Sequence, residues 1–382
     1  MPAAGIIAEY NPFHNGHLFH LQKTKEILQL PVIAVISSSF MQRGEPSILS
    51  KWKRAEICVG CGADLVLELP VSYSLGSAEY FARGATDILQ ATRCVNHISC
   101  GCENPKLDFS ALARRITSAK YQHDIKELLQ QGHSYAAAHA QLLGDGFDRP
   151  NNILALEYTK ALLGSDISML YIKRNDNGYN SPLLAGATAS ASAIRRDLQS
   201  GGMSWTAAVP SSTRTALETC TPGNTELLWH LLSYRLRCLS PLEIAERTTA
   251  SEGLEHTLKR AADCSSWEEA VKFCTNKRYP SSRIRRLLLQ LLLDVPKANF
   301  GYRKPAYLRV LAFNDKGRNL LKEISVQAAV PVITKLGKNP CAGQSAAFAE
   351  QLTLETKAMD LWALLHGLPS ALDRTTSPIY LK

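Results

Sequence analysis

Long apolar runs are missing from this 382-residue chain. The longest leucine-rich stretch, Leu287 to Leu293, falls far short of the roughly 20 residues a helix needs to span a bilayer, which excludes a membrane-spanning helix. The first residues show no basic segment followed by an apolar one, so no secretory leader is expected. Ten cysteines are scattered without the frame of a disulfide-stapled scaffold, and reduced thiols in a cytoplasmic protein are the expectation. Cys58 and Cys61 have C-x-x-C spacing, whereas Cys100 and Cys102 are too close for it. A four-cysteine zinc site is the alternative, opposed by the helical pattern around the first pair and the glycine between the second. Repeats and low-complexity tracts are absent. Acidic side chains are in short supply, 34 Asp+Glu against 43 Lys+Arg, and the resulting formal charge of +9 favours a polyanionic partner.

What is present is an alternation of strands and helices. Gly5 to Ala8, Pro31 to Phe40, Ala63 to Pro70, His97 to Glu103 and Ser168 to Arg174 read as strands, most of them apolar on both faces. Helical patterns separate them: His17 to Leu30, Lys51 to Gly60 behind an N-cap Ser50, Ser77 to Gln90, Leu107 to Leu143 in pieces, and Ile153 to Leu163. This order predicts a Rossmann-like parallel sheet with right-handed crossovers over residues 1–205. Turn formers and a Ser/Thr run from Trp205 to Gly223 suggest a linker. A mainly helical region, 206–382, follows, with Ala306 to Asn314 strand-like inside it. The length accommodates two such domains.

The first strand ends in Glu9-Tyr10-Asn11-Pro12-Phe13-His14-Asn15-Gly16-His17, at the mouth of a helix. Unpaired backbone N–H groups and the helix dipole suit that place to phosphate. His14 and His17, three apart, lie on one face of a first helical turn, and Gly16 leaves no side chain between backbone and ligand. A plain helix start stays open as the other reading. A metal pair is weaker, because a third ligand is missing. Gly101, Arg174, and the helix start carrying Ser192 and Arg195 fall at strand ends too, where open α/β sheets bind ligands. Asn151 and Asn152 open the helix before Leu163; either one caps it, or one caps and the other reads a ligand. Lys51, Lys53 and Arg54 oppose their own helix dipole, which suggests something anionic for them to face; solvated surface lysine is the alternative for Lys53.

Between Lys272 and Arg309 stand ten Lys/Arg and one acid, Asp294, interleaved with Tyr279, Phe300, Tyr302 and Tyr307. Clustered cations gain from counterion release on a phosphate backbone, and aromatic rings stack on unpaired bases. Lys277, Arg278, Arg283, Arg285 and Arg286 are therefore nucleic-acid-binding candidates, with a solvated charged surface as the competing reading.

The Glu9–His17 segment resembles the His-x-Gly-His signature of the nucleotidyltransferase superfamily, in the form carried by the bacterial tRNA(Met) cytidine acetate ligase family. The resemblance continues through Phe40–Pro46, Gly62–Pro70, Pro150–Leu154, Ser190–Arg195, Lys277–Tyr279 with Arg283-Ile284, and Leu308–Asn314, and so covers most of the chain. It implies an enzyme that activates acetate with ATP as acetyl-adenylate and passes the acetyl group to N4 of the wobble cytidine of elongator tRNA(Met). By position, the ATP contacts implied are Ile7, Ala8, Glu9, Tyr10, Asn11, Pro12, Phe13, His14, Asn15, Gly16, His17, Leu18, Phe19, His20, Gly101, Asn152 and Arg174. His14 and His17 would be the catalytic donors. Arg174, Arg195 and Lys51 would neutralise the triphosphate, and Ser192 joins the binding set. Mg²⁺ would arrive on the phosphates, with no protein metal site, no membrane and no protein partner implied. Loop Gln42–Pro46 is expected to close the site against water. One departure is Cys102, where the family pattern leads us to expect serine. A small-metabolite adenylyltransferase on the same fold, or a non-catalytic tRNA-binding protein, are the alternatives. The basic region disfavours the first, and the intact histidines and arginines disfavour the second.

Overall fold

The computed structural model describes residues 1–133, 135–144, 149–174, 189–250, 253–295 and 303–382. Lys297, Phe300 and Tyr302 of the basic, aromatic stretch lie outside the described residues. Five parallel strands form the centre: β1 (Ala3–Ala8), β2 (Val32–Ser37), β3 (Leu65–Leu69), β4 (Val95–Cys102) and β5 (Ser168–Lys173). Their spatial order is β5-β4-β1-β2-β3. The chain therefore winds one way from β1 to β3 and the other way from β4 to β5, so the order reverses between β1 and β4, the place where such sheets open a crevice for ligands.

Residues of β1, β2 and β3 alternate between two cores. Ala3, Ile33, Val35, Leu65 and Leu67 face one, and Ala4, Ile6, Val32, Ala34, Ile36 and Val66 face the other. Burial on both faces explains why these strands read as unbroken apolar runs. Three further strands come from the second half of the chain: β6 (Leu308–Phe313), β7 (Val332–Ile333) and β8 (Ile379–Tyr380). β6 lies antiparallel to β3, with Leu65 opposite Phe313 and Leu67 opposite Val310. β7 and β8 each run parallel to β6. The strand expected near 306–314 is thus part of the same sheet as β1.

Two expectations are corrected. The stretch from Trp205 to Gly223 is no linker: it holds a short 3-10 turn, Ser204–Ala208, and a helix, Ser211–Glu218. Trp205 is 1% exposed and belongs to the sheet's second core, because its backbone N–H reaches Asp197 at 2.9 Å and seats the indole against the fold. The helix behind Pro150 is capped by neither asparagine; Arg149 is its N-cap and Pro150 its first residue.

Lys51 is the third correction. Its Nζ is fully buried and meets Glu68 at 2.5 Å, Asp373 at 2.8 Å and Glu355 at 3.2 Å. The anion that explains a cation in this helix's first turn is the protein itself. Burial alone would depress the ammonium, but Asp373, Glu68 and Glu355 outweigh it and hold it above its ordinary range. Burial and the neighbouring Glu355 push the Glu68 carboxyl up, against the downward pull of Lys51. Glu355 also accepts from the Val71 N–H at 2.7 Å and from Ser38, and Arg309 reaches the Asp373 carbonyl at 2.9 Å. Removing one member of such a network strands a buried charge. Lys51→Met should lower unfolding free energy by about 3–5 kcal/mol in urea titration; an unchanged midpoint would show that the network contributes no net stability.

Candidate active site

His14 begins the site. It is the N-cap of the helix Asn15–Leu28, with extended backbone, and its Nδ1 accepts from the Gly16 N–H at 3.0 Å and the His17 N–H at 3.3 Å. His17 Nδ1 in turn accepts from the His14 N–H at 3.3 Å. This is a capping box built from two imidazoles instead of a hydroxyl and a carboxylate. The rings stack with centroids 3.6 Å apart at 22°. Because both Nδ1 atoms accept, each neutral ring carries its proton on Nε2, and that N–H is the donor it can offer to a ligand.

Both imidazoles are held neutral. Burial, with Arg174 nearby, pushes His14 down to about 3, and the same causes push His20 down to about 4. Burial, then His14, Arg174 and His20, hold His17 well below its usual range. His20 also pairs with Ser99 Oγ at 2.9 Å. Asn11 adds a further donor. Its Oδ1 accepts from the Ile48 N–H at 2.9 Å, which assigns the other end as Nδ2, and that buried atom has no partner.

One cavity of about 980 Å³ gathers these groups at the switch point. Ile7, Ala8, Glu9, Tyr10, Asn11, His14, Gly16, His17, Phe19 and His20 line it, together with Gly101, Arg174, Ser192 and Arg195. Pro12, Phe13, Asn15 and Leu18 are not among the lining residues: Phe13 is buried against Tyr10 and His17, and Asn15 donates to the Ala207 carbonyl at 3.0 Å. Asn152 is fully buried and outside the lining; its Oδ1 accepts from the backbone N–H groups of Glu103 and Asn104 at 3.0 and 3.2 Å. Its neighbour Asn151 lines the cavity instead, with Oδ1 3.4 Å from an Arg174 Nη1. Gly101 makes room for Arg174, whose Cγ would lie 3.1 Å from a Cβ placed there. Cys102 faces the core and not the cavity, so its replacement of the expected serine does not alter the lining.

The second half of the chain supplies the opposite wall. Arg278, Arg283 and Arg286 line the same cavity, as do Arg303 and Lys304; Lys277 and Arg285 do not. Arg303, Lys304, Tyr73 and Tyr80 carried no signal in the sequence beyond being basic or aromatic, since nothing local marks which surface a side chain will face. Arg309, the last cation of the basic stretch, is buried in the Lys51 network and is not a surface group. Loop Gln42–Pro46 joins the two walls. The Gln42 N–H donates to Glu9 at 2.5 Å, its carbonyl accepts from Arg286 at 2.9 Å, and Glu45 pairs with Arg195 at 2.8 Å. Arg195 also donates to the Asn11 carbonyl at 2.9 Å. Gly44, at φ +76°, lets the loop abut the helix Ser281–Leu293, because a Cβ there would come within 2.5 Å of Arg285 Cβ. The loop expected to act as a lid is clamped from both sides in this structure. All ten cysteines are free thiols, and among the described residues no group of three or more His, Cys, Asp or Glu is placed to hold a metal ion.

A parallel sheet with this donor-rich helix mouth at its switch point defines a nucleotidyl transferase. The family described as HIGH Nucleotidyl Transferase matches residues 1–375, and the chain belongs to it. The tRNA(Met) cytidine acetate ligase of Thermoanaerobacter sp. (strain X514) is 39% identical over 361 residues, covering 88% of this chain and 90% of that protein. The one from Acetivibrio thermocellus is 34% identical over 403 residues, covering 97% and 96%. The crystal structure of apo Thermotoga maritima TmcAL superposes with a TM-score of 0.91 at 30% identity, covering all of both chains. The form of that protein bound with alpha-thio ATP gives a TM-score of 0.88. Within the nucleotidyl transferases, this chain is a member of the tRNA(Met) cytidine acetate ligase family.

Neutral histidines have a consequence for stability. Below pH 6.5 the unfolded chain takes up protons on His14 and His20 that the folded chain refuses until about 3 and 4. Their contribution is therefore complete above pH 6.5 and is lost as pH falls toward those values. The urea midpoint should fall between pH 6.5 and 4.5, and fall less in the double variant His14→Gln, His20→Gln; identical slopes would show that the rings are not held neutral.

Proposed function

We infer that the protein is an ATP-dependent tRNA(Met) cytidine acetate ligase that works in the cytoplasm. The observation that carries this is the single cavity: His14, His17 and Asn11 form one wall, and Arg278 and Arg283 form the other. A nucleotide-sized donor site therefore opens onto a basic surface, as a tRNA-modifying enzyme needs and a small-metabolite enzyme does not. The free cysteines support a reducing compartment.

In the first step an acetate oxygen attacks the α-phosphorus of ATP. The bond from that phosphorus to the bridging oxygen breaks, pyrophosphate leaves with the electron pair, and acetyl-adenylate remains. Acetate is already ionised at neutral pH, so no base is required. Charge grows on the departing pyrophosphate, and donors fixed in advance stabilise it. Nε2–H of His14 and His17 and the orphan Nδ2–H of Asn11 are such donors, while Arg174 and Arg195 supply positive charge. The uncharged state of the histidines means that they act by directed hydrogen bonds. Mg²⁺ finds no fitting set of carboxylates among the described residues, so no step is assigned to it; it would enter coordinated by the phosphates.

In the second step N4 of the cytidine attacks the acetyl carbonyl carbon. The carbon–oxygen bond to AMP breaks with its electron pair, and N4 gives up one proton to solvent. Arg278 and Arg283, beside Tyr279, would hold the tRNA backbone, both lying within cation–π distance of that ring at 5.8 and 4.8 Å. Arg286 plays a different part, being committed to the Gln42 carbonyl.

Acetate-dependent exchange of pyrophosphate into ATP tests the first step. His14→Ala and His17→Ala should each lower it by about 100-fold or more while leaving tRNA binding in place. The double reversal Arg278→Glu, Arg283→Glu should keep exchange, weaken tRNA binding and flatten its salt dependence. Equal loss of tRNA binding in both sets would overturn the assignment of separate walls.

A further inference from the structure

Gln290 stands in the third turn of the helix Ser281–Leu293, among leucines that build the helical core. A carboxamide there is out of keeping with its neighbours. The side chain is 8% exposed and lines the cavity, and its Nε2 donates to the Leu75 carbonyl at 3.0 Å. That bond identifies the amide's orientation, leaving Oε1 as the free end. Oε1 is buried and has no partner. An orphan buried acceptor costs free energy unless a ligand satisfies it. The lining of the cavity also includes Leu75, which accepts the Gln290 bond, and the apolar or aromatic groups Phe81, Leu287, Leu354, Tyr73 and Tyr80. A flat ring with a hydrogen-bond donor on its edge would satisfy that oxygen and pack against such groups.

We propose that Gln290 is a specificity-determining residue for the acceptor base, its Oε1 accepting from the exocyclic amine that is to be acetylated. The assignment rests on the ligase reading above. Cytosine presents two N4–H donors, and uracil presents an acceptor oxygen at the same position. Oε1 holds one N4–H and leaves the other to be lost when the amide forms. Against uracil the same oxygen faces an oxygen, and two buried acceptors are left unpaired. Leu75 fixes Gln290 by its carbonyl, so the amide cannot rotate to present its NH₂ without breaking a bond already made. Selection of an amine-bearing base is therefore built into the core of the helix whose first turn carries Arg283.

Two variants of the full chain test this, measured with ATP, acetate and a tRNA(Met) transcript. Gln290→Met keeps the length and removes the acceptor. It should lower kcat/KM for acetyl transfer to the transcript by roughly 10- to 100-fold, with acetate-dependent pyrophosphate exchange within about threefold of wild type. Gln290→Glu keeps an acceptor oxygen for the base and should hold transfer to within about fivefold of wild type. Transfer by Gln290→Met that matches wild type would overturn the proposal. So would parallel loss of exchange and transfer in both variants, which would make the amide a packing group. Failure of the ligase reading looks different: wild type itself would then show no acetate-dependent exchange, or exchange without acetylation of the transcript.

Discussion

The charge network around Lys51 is the constraint on which the shape of this protein depends. A cation on the helix Lys51–Gly60 is satisfied by a carboxyl of β3 and by two carboxyls from near the end of the chain. None of these groups tolerates burial alone, so the parts that carry them must come together. Docking the helix Ala346–Leu365 at the carboxyl ends of β2 and β3 has a second effect: Gln351 and Leu354 of that helix line the cavity whose other wall is the His14 segment. The forces that close the interior thus also assemble the walls of the site from distant parts of the chain.

Within the site, neutral donors and fixed cations are kept apart. His14 and His17 are committed through Nδ1 to their own helix's orphan N–H groups, so the rings cannot turn away from the cavity without uncapping the helix. Helix formation and donor orientation are one set of bonds. The cations sit around this core: Arg174 crosses Gly101, and Arg195 is tied to Asn11 and Glu45. Loop Gln42–Pro46 is held by Glu9 and Arg195 on the nucleotide side and by Arg286 on the basic side. Gln42 thereby links the helix Ser281–Leu293 to Glu9 through two hydrogen bonds, a short mechanical connection between the two walls.

Much of the fold was legible residue by residue. The five parallel strands, their helices and the cap at Ser50 follow from apolar runs and capping side chains, both of which act over a few positions. The place of His14 and His17 at a helix mouth was legible for the same reason. Harder to read were side chains whose meaning depends on what lies opposite. Lys51 and Arg309 look like solvent or ligand cations until their carboxylates arrive; Trp205 and its neighbours look like a linker until the indole finds the core. Asn151 and Asn152 are adjacent and chemically identical, yet one faces the cavity and the other the β4 loop.

The sequence by itself determined the local elements, the place of the His-x-Gly-His helix mouth and the basic character of the later region. These depend on backbone periodicity and on contacts between residues three or four apart. Only the tertiary structure decided which cations line the cavity, that Gln290 and Asn11 keep an unpaired amide atom, and that the basic helix shares that cavity with His14. Those facts turn on pairs such as Gln42–Arg286 and Lys51–Glu355, 244 and 304 positions apart. No local pattern encodes such pairs. They form because burying a polar group requires a partner, and packing alone decides which distant group is in reach.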